Sequence, residues 1–298
     1  MTTHDSAISL RSIAVGGLGV AATAVLLFSF SFPATAWALA GFGPWTATGL
    51  RGVLAALVAG SCLAVSRAPL PRRQDWPGIA VVSLGCVVGF PLLTTLALRA
   101  SSTAHSAVVI GMLPMATAVW AALRTRSRQP RLFWGAAGAG AAVVLAFTVQ
   151  QSAGRPGLAD AYLFAALLVC AAGYAEGGLL ARRGMPGWQV IGWAVVVALP
   201  VTALTCALAL PREPVHLTAH ALAGLAYVGG VSQFGGFVLW YRGMAAIGVP
   251  RASQLQLAQP LLTLAWAALL LGEHLPAAAP VTALLVIACI AVTQRARG

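Results

Sequence analysis

The chain has 298 residues, 59% of them hydrophobic and 8% charged, with a mean hydropathy of +0.87. A soluble domain carries about a quarter charged residues, so this composition excludes a water-facing surface and predicts an all-α integral membrane protein. The net charge of +12 comes from eighteen Arg and no Lys; they cluster in short gaps between apolar runs, which fits membrane topology and argues against nucleic acid as a partner.

Apolar runs and their breakers predict ten spans. Five fall in the first half: Ser12 to Phe32, Trp45 to Val65, Trp76 to Leu98, Ala104 to Leu123 and Leu132 to Val149. Five follow in the second: Leu158 to Leu180, Trp188 to Leu210, Ala219 to Tyr241, Ala252 to Leu271 and Ala277 to Val292. Only helices or closed barrels satisfy a backbone in hydrocarbon, and period-two alternation is missing, so helices are expected. Arg11 and Ala34-Thr35-Ala36 resemble the flanks of a signal peptide. The run between them is longer than a usual signal core, so a retained first span is expected. The five Cys lie scattered in apolar runs, without the spacing of a disulfide framework or a metal knuckle.

Alternate gaps differ in charge. The gaps after the second, fourth, sixth and eighth spans hold eleven Arg, counting Arg67, and the termini add Arg11, Arg295 and Arg297. The other gaps hold Arg99, Arg155 and Arg212. The positive-inside rule then places both termini in the cytoplasm, with the chain in the inner (cytoplasmic) membrane.

Two stretches repeat. "PMATAVWAAL" begins at Pro114 and "PLLTLAWAAL" at Pro260, six of ten positions matching, each in the fourth span of its half. Because five is odd, the second half enters from the opposite face. The expected architecture is ten transmembrane helices as two inverted five-helix repeats, residues 12–149 and 158–292. Such repeats are a transporter architecture. Pro114 and Pro260 should kink their helices near midplane, each depriving the carbonyl four residues upstream, at Ile110 and Gln256, of its donor.

In these stretches the chain resembles the drug/metabolite transporter superfamily, in particular its EamA-type branch. The resemblance rests on Arg51 in "TGLRGVLAAL", on "LALRASSTAHSAVVIGMLPMATAVWAAL", and on "YRGMAAIGVPRASQLQLAQPLLTLAWAALLLGEHL" with its closing Gly272-Glu273. Where the family usually carries a second Gly-Glu after the fourth helix, this chain has "RTRSRQP". The resemblance implies ten helices, inverted halves and movement of small metabolites or drugs, often outward.

Polar groups inside spans are the functional pointers. Gln256, Gln259 and Thr263 share one face by helical spacing and either line a substrate cavity or bond neighbouring helices. Thr117 is the twin of Thr263. Gln233 sits between glycine pairs, a pattern suited to packing or to a hinge. Arg51 either attracts an anionic substrate group or snorkels to the surface. Glu176 is either a proton-coupling carboxylate or the partner of a neighbouring Arg. His216 and His220 stand four apart in Pro-rich loop sequence, and no metal site is expected. Enzyme motifs of the H-E-x-x-H, nucleotide-loop and G-x-S-x-G kinds do not occur. The expected function is a secondary permease without cofactor. It is expected to export a small organic metabolite, amino acid or drug, with the bilayer and a small-molecule substrate as partners and a homodimer as a compatible assembly. A membrane-embedded enzyme acting on a lipid or isoprenoid carrier is the alternative, and a non-transporting scaffold a third class.

Overall fold

The computed structural model describes residues 3–126, 128–151, 157–247 and 255–295. Among these, eight helical segments are long and apolar enough to cross a membrane, and two shorter apolar helices close the chain. The first span is α1 (Thr3–Ser29) followed by α2 (Ser31–Leu39), and the second is α3 (Pro44–Val65). The third joins α4 (Trp76–Val82) to α5 (Phe90–Leu98) through a π-helical turn at Ser83–Gly89. The fourth is α6 (Thr103–Ile110) and α7 (Leu113–Thr125), and α8 (Arg131–Gln151) ends the first half. In the second half come α9 (Leu158–Arg182) and α10 (Gly187–Ala209). Then α11 (Ala219–Ala226) runs through a second π-helical turn, Tyr227–Gly235, into α12 (Gly236–Ile247). The chain closes with α13 (Gln259–Leu271) and α14 (Ala278–Arg295).

Three expectations change. The first span does not stop at Phe32; it breaks at Phe30 and runs on to Leu39, because Pro33 falls in the first turn of α2, where a missing N–H costs nothing. The fourth and ninth spans are interrupted rather than kinked. Gly111–Met112 and Leu257–Ala258 are turns, and Pro114 and Pro260 each lie in the first turn of the half-helix that follows. The expected start of the ninth span at Ala252, like Arg155, Arg251 and Arg297, lies outside the described residues.

With lipid outside, burying apolar surface gives helices little reason to associate, and close packing of small residues takes its place. Ala dominates the buried core, while large side chains such as Leu57, Val65, Leu84 and Leu269 are exposed on the outer surface, where lipid is the solvent. The most extensive pairing is α3 against α10. A Cβ on Gly49 would meet the Cys206 backbone at 2.7 Å, and one on Gly52 would collide with the Thr202 side chain, so these two positions set the separation of the helices. The first span packs on the eighth and the third on the sixth; the first also meets the ninth, and the fourth meets the sixth. Exchanging the halves maps each of these pairings onto the other.

Two carboxylates close the face opposite the chain termini. The Trp45 and Thr46 amides donate to Glu213 at 3.3 and 2.7 Å, and Gly43 is the residue whose missing side chain leaves room for it. Thr103 and Ala104 donate to Glu273 at 2.8 and 2.9 Å. The remaining first-turn donors of α6 are also satisfied, His105 N by Ser102 Oγ and Ser106 N by the Ser102 carbonyl. Gly272, at φ 65°, turns the chain so that Glu273 faces α6. The same left-handed turn after α7 is made by Arg126, at φ 51°. The half without Gly-Glu therefore still ends its fourth span in a left-handed turn, with Arg126 in the place of Gly272.

Candidate functional site

Three irregularities converge on the centre of the bundle: the break at Phe30, the two π-helical turns, and the interrupted fourth and ninth spans. Each has a local cause. "VGGVSQFGG" and "SLGCVVGF" are too glycine-rich to hold a tight α-helix against neighbours, and a π turn, which shifts one residue out of register, is common where helices carry function. A Pro in the first turn of a half-helix cannot donate backward, so Pro114 leaves Ile110 O, and Pro260 leaves Gln256 O, without a helical partner.

These irregularities enclose a cavity of about 50 Å³, room for a few waters. At that size the conformer is a contracted one. Arg51 lies seven residues into α3, about 10 Å from its end at 1.5 Å per residue, and is 8% exposed. It points inward and not to the membrane surface. Its Nε donates to Gln233 Oε1 at 2.8 Å, and Gln233 Nε2 donates to the Cys86 carbonyl at 3.2 Å. Gln233 sits in one π turn and Cys86 in the other, so a single side chain ties both to the buried cation. Ser31 and Ser232 hydroxyls meet at 2.7 Å on the same wall.

A smaller cavity of about 20 Å³ adjoins it, sharing Phe32, Ile110, Leu113 and Gln259. Gln256, Thr263, Pro114 and Pro260 also line it. The turn at 257–258 separates Gln256 from Gln259, yet both reach this space. Leu113 and Gln259 are the first residues of α7 and α13, so two half-helix amino ends, each a positive dipole end, abut it.

The sequence candidates thus divide. Arg51, Gln233 and Gln259 share the larger cavity, and Gln256, Gln259, Thr263 and both prolines the smaller. Thr263 is also a tie: its hydroxyl donates to the Ser29 carbonyl at 2.9 Å, and Trp266 Nε1 donates to Ser29 Oγ at 2.9 Å. The two shared polar residues of the second repeated stretch therefore hold the broken first span. Their twins do not: Thr117 Oγ1 is buried without a partner among the described residues, and Trp120 is part exposed. Thr117 lines neither cavity. Glu176 is apart as well, accepting from Arg124 Nε at 2.7 Å on the face that holds the termini.

Sequence reasoning missed several members. Five rings, Phe28, Phe32, Phe90, Tyr174 and Phe237, line the larger cavity, and in sequence they look like ordinary membrane aromatics. It also missed the buried pair His105 Nε2 and Asp160 Oδ1 at 2.7 Å, in the first turn of α9, where the His ring stacks on Phe147. His216 and His220 do not act together: His216 N donates to the Gly41 carbonyl, and the His220 ring abuts Trp37. No group of three or more His, Cys, Asp or Glu able to hold a metal occurs among the described residues.

The profile of the EamA-like transporter family matches residues 15–148 and again residues 158–294. A protein of Bacillus subtilis (strain 168) described as "Uncharacterized transporter YdeK" is 41% identical over 271 residues, covering 91% of this chain and 94% of that one. A solved crystal structure, 20% identical, superposes with a TM-score of 0.62 over 93% of this chain and 98% of its own. At that identity the likeness is one of fold.

Proposed function

The chain belongs to the EamA-like transporter family, and from that premise we propose that it is a permease exporting a small organic metabolite, amino acid or drug across the cytoplasmic membrane by alternating access. A transporter family leaves no place for the alternative of an enzyme on a lipid carrier. The observation that carries the proposal is the polar, partly unpaired centre where the interrupted helices and both π turns meet, walled by Arg51, Gln233 and Gln259. A scaffold protein gains nothing from such a centre, because polar groups at this depth are expensive.

The halves, residues 12–149 and 158–292, act as inverted repeats that rock about this cavity. Supporting this are the pairings that map onto one another when the halves are exchanged, and the matched interruptions of the fourth and ninth spans. The Arg distribution supports cytoplasmic termini, with the Glu213 and Glu273 closures on the outside. Homodimerisation is compatible with this arrangement and not required by it.

The test is transport by purified protein in liposomes across a broad metabolite panel. Gln256→Ala and Gln259→Ala should each lower the rate at least tenfold while the protein still inserts and folds. Folded wild-type protein that moves no member of the panel, or unchanged rates in both variants, would refute the proposal.

A further inference from the structure

Among the described residues, Arg51 is a buried cation without a counter-charge. Of its donors, Nε is committed to Gln233, and the Nη1 and Nη2 edge meets no acceptor among the described residues. That edge is the one whose geometry matches a carboxylate with two parallel hydrogen bonds. The chain has six acidic residues. Five have described side chains, and each is engaged away from the cavity. Asp160 meets His105, Glu176 meets Arg124, Asp75 lies 3.8 Å from Arg183, and Glu213 and Glu273 cap helices. The amino ends of α7 and α13 add positive potential beside the same space. Five rings form the largest part of the remaining wall, beside the hydroxyls of Ser31, Thr35, Thr94 and Ser232; Phe237 stands edge-on to Phe28 at 5.1 Å and to Tyr174 at 5.9 Å.

We propose that this cavity selects monoanionic organic acids, with the carboxylate on the Nη edge of Arg51 and an apolar body among the rings. The assignment rests on the permease reading of the same cavity. One cation matches one negative charge. An ammonium group would find no carboxylate on the described walls, so a simple acid is favoured over an amine or an amino acid. The cavity is too small to admit such an acid as it stands, so binding goes with parting of the halves.

The probes are hydrocinnamate, its neutral isostere hydrocinnamamide, and phenylalanine, which adds an ammonium to the same skeleton. Binding to the full chain in lipid nanodiscs is read by calorimetry, with propionate and acetate as smaller acids. Hydrocinnamate should bind at least tenfold more tightly than the amide or phenylalanine. Arg51→Gln should remove that preference and Arg51→Lys should keep part of it. Should Arg51→Gln fail to fold, Gln233→Glu provides the same test, because it gives the guanidinium an internal partner at the position of Gln233 and should abolish hydrocinnamate binding. Equal binding of acid and amide, tighter binding of phenylalanine, failure of all three acids to bind, or full binding by folded Gln233→Glu would overturn the proposal. Liposome transport separates the two levels. Movement of phenylalanine or the amide without acid binding overturns the acid assignment and leaves the permease standing; acid binding with no solute moved does the reverse.

Discussion

Removing the Glu273 carboxylate should open one face of the protein locally. In the structure it accepts from the first two amides of α6 at 2.8 and 2.9 Å, from a residue 169–170 positions away. A hydrogen bond to a charged group contributes about 1.5–3 kcal/mol, and a lost helix cap costs about 0.5–2 kcal/mol. The site is partly exposed, which weakens both contributions. We take about 2 kcal/mol for Glu273→Ala, roughly a thirtyfold shift at 1.4 kcal/mol per tenfold. Glu273→Gln keeps the shape and an acceptor but loses the charge, about 1 kcal/mol or about fivefold. Amide hydrogen exchange in nanodiscs reads this directly, because opening exposes the Thr103 and Ala104 amides. Exchange at the start of α6 should accelerate by about those factors, with α3 and α10 unaffected. Unchanged exchange in both variants would refute this capping role, and uniform acceleration along the chain would show that Glu273 supports the whole fold instead.

The repeated stretch yields an asymmetric pair. Thr263→Val should lower stability by about 1 kcal/mol, the net worth of a buried hydrogen bond, whereas Thr117→Val should be neutral or slightly stabilising because its hydroxyl has no partner among the described residues; equal melting shifts would contradict this. Arg126→Gly should stabilise by about 0.5–1 kcal/mol by relieving a left-handed non-glycine turn, measured as a raised melting temperature, and a lowered one would indicate a role for the side chain. Glu176→Gln and Arg124→Ala should be mutually dependent in a double-mutant cycle, with a coupling of about 0.2–1 kcal/mol given the exposure of Arg124. Pairing without coupling to transport predicts that proton dependence survives Glu176→Gln; its abolition would make Glu176 the coupling carboxylate.

Much of the scaffold was legible because it is written in composition and period. Apolar length located the spans, and Pro114 and Pro260 marked the interruptions, although a Pro alone does not distinguish a kink from a two-residue turn. That distinction depends on Gly111 lying against Pro260 across the bundle, a tertiary fact. The π turns are of the same kind: the glycines around Gln233 announced irregularity but not its form, which Cys86 and Arg51 decide from other helices. Asp160 and Glu273 could not be matched to His105 and α6 because their partners lie 55 and about 170 residues away. Arg51 was visible as a charge in an apolar run, but its direction follows from the position of Gln233.

The lone guanidinium also has an electrical consequence. A membrane potential does about 2.3 kcal/mol of work per elementary charge per 100 mV across its full thickness, and Arg51 sits roughly a third of the way through. If the halves rock as proposed, the empty protein moves a net positive charge through part of that field whenever the exposed side of the cavity alternates. With a monoanion seated on Arg51 the pair is neutral and feels almost none of it. On the proposed cycle, voltage would act on the empty return step and not on the loaded crossing, so a change of polarisation would reset the carrier without touching its cargo.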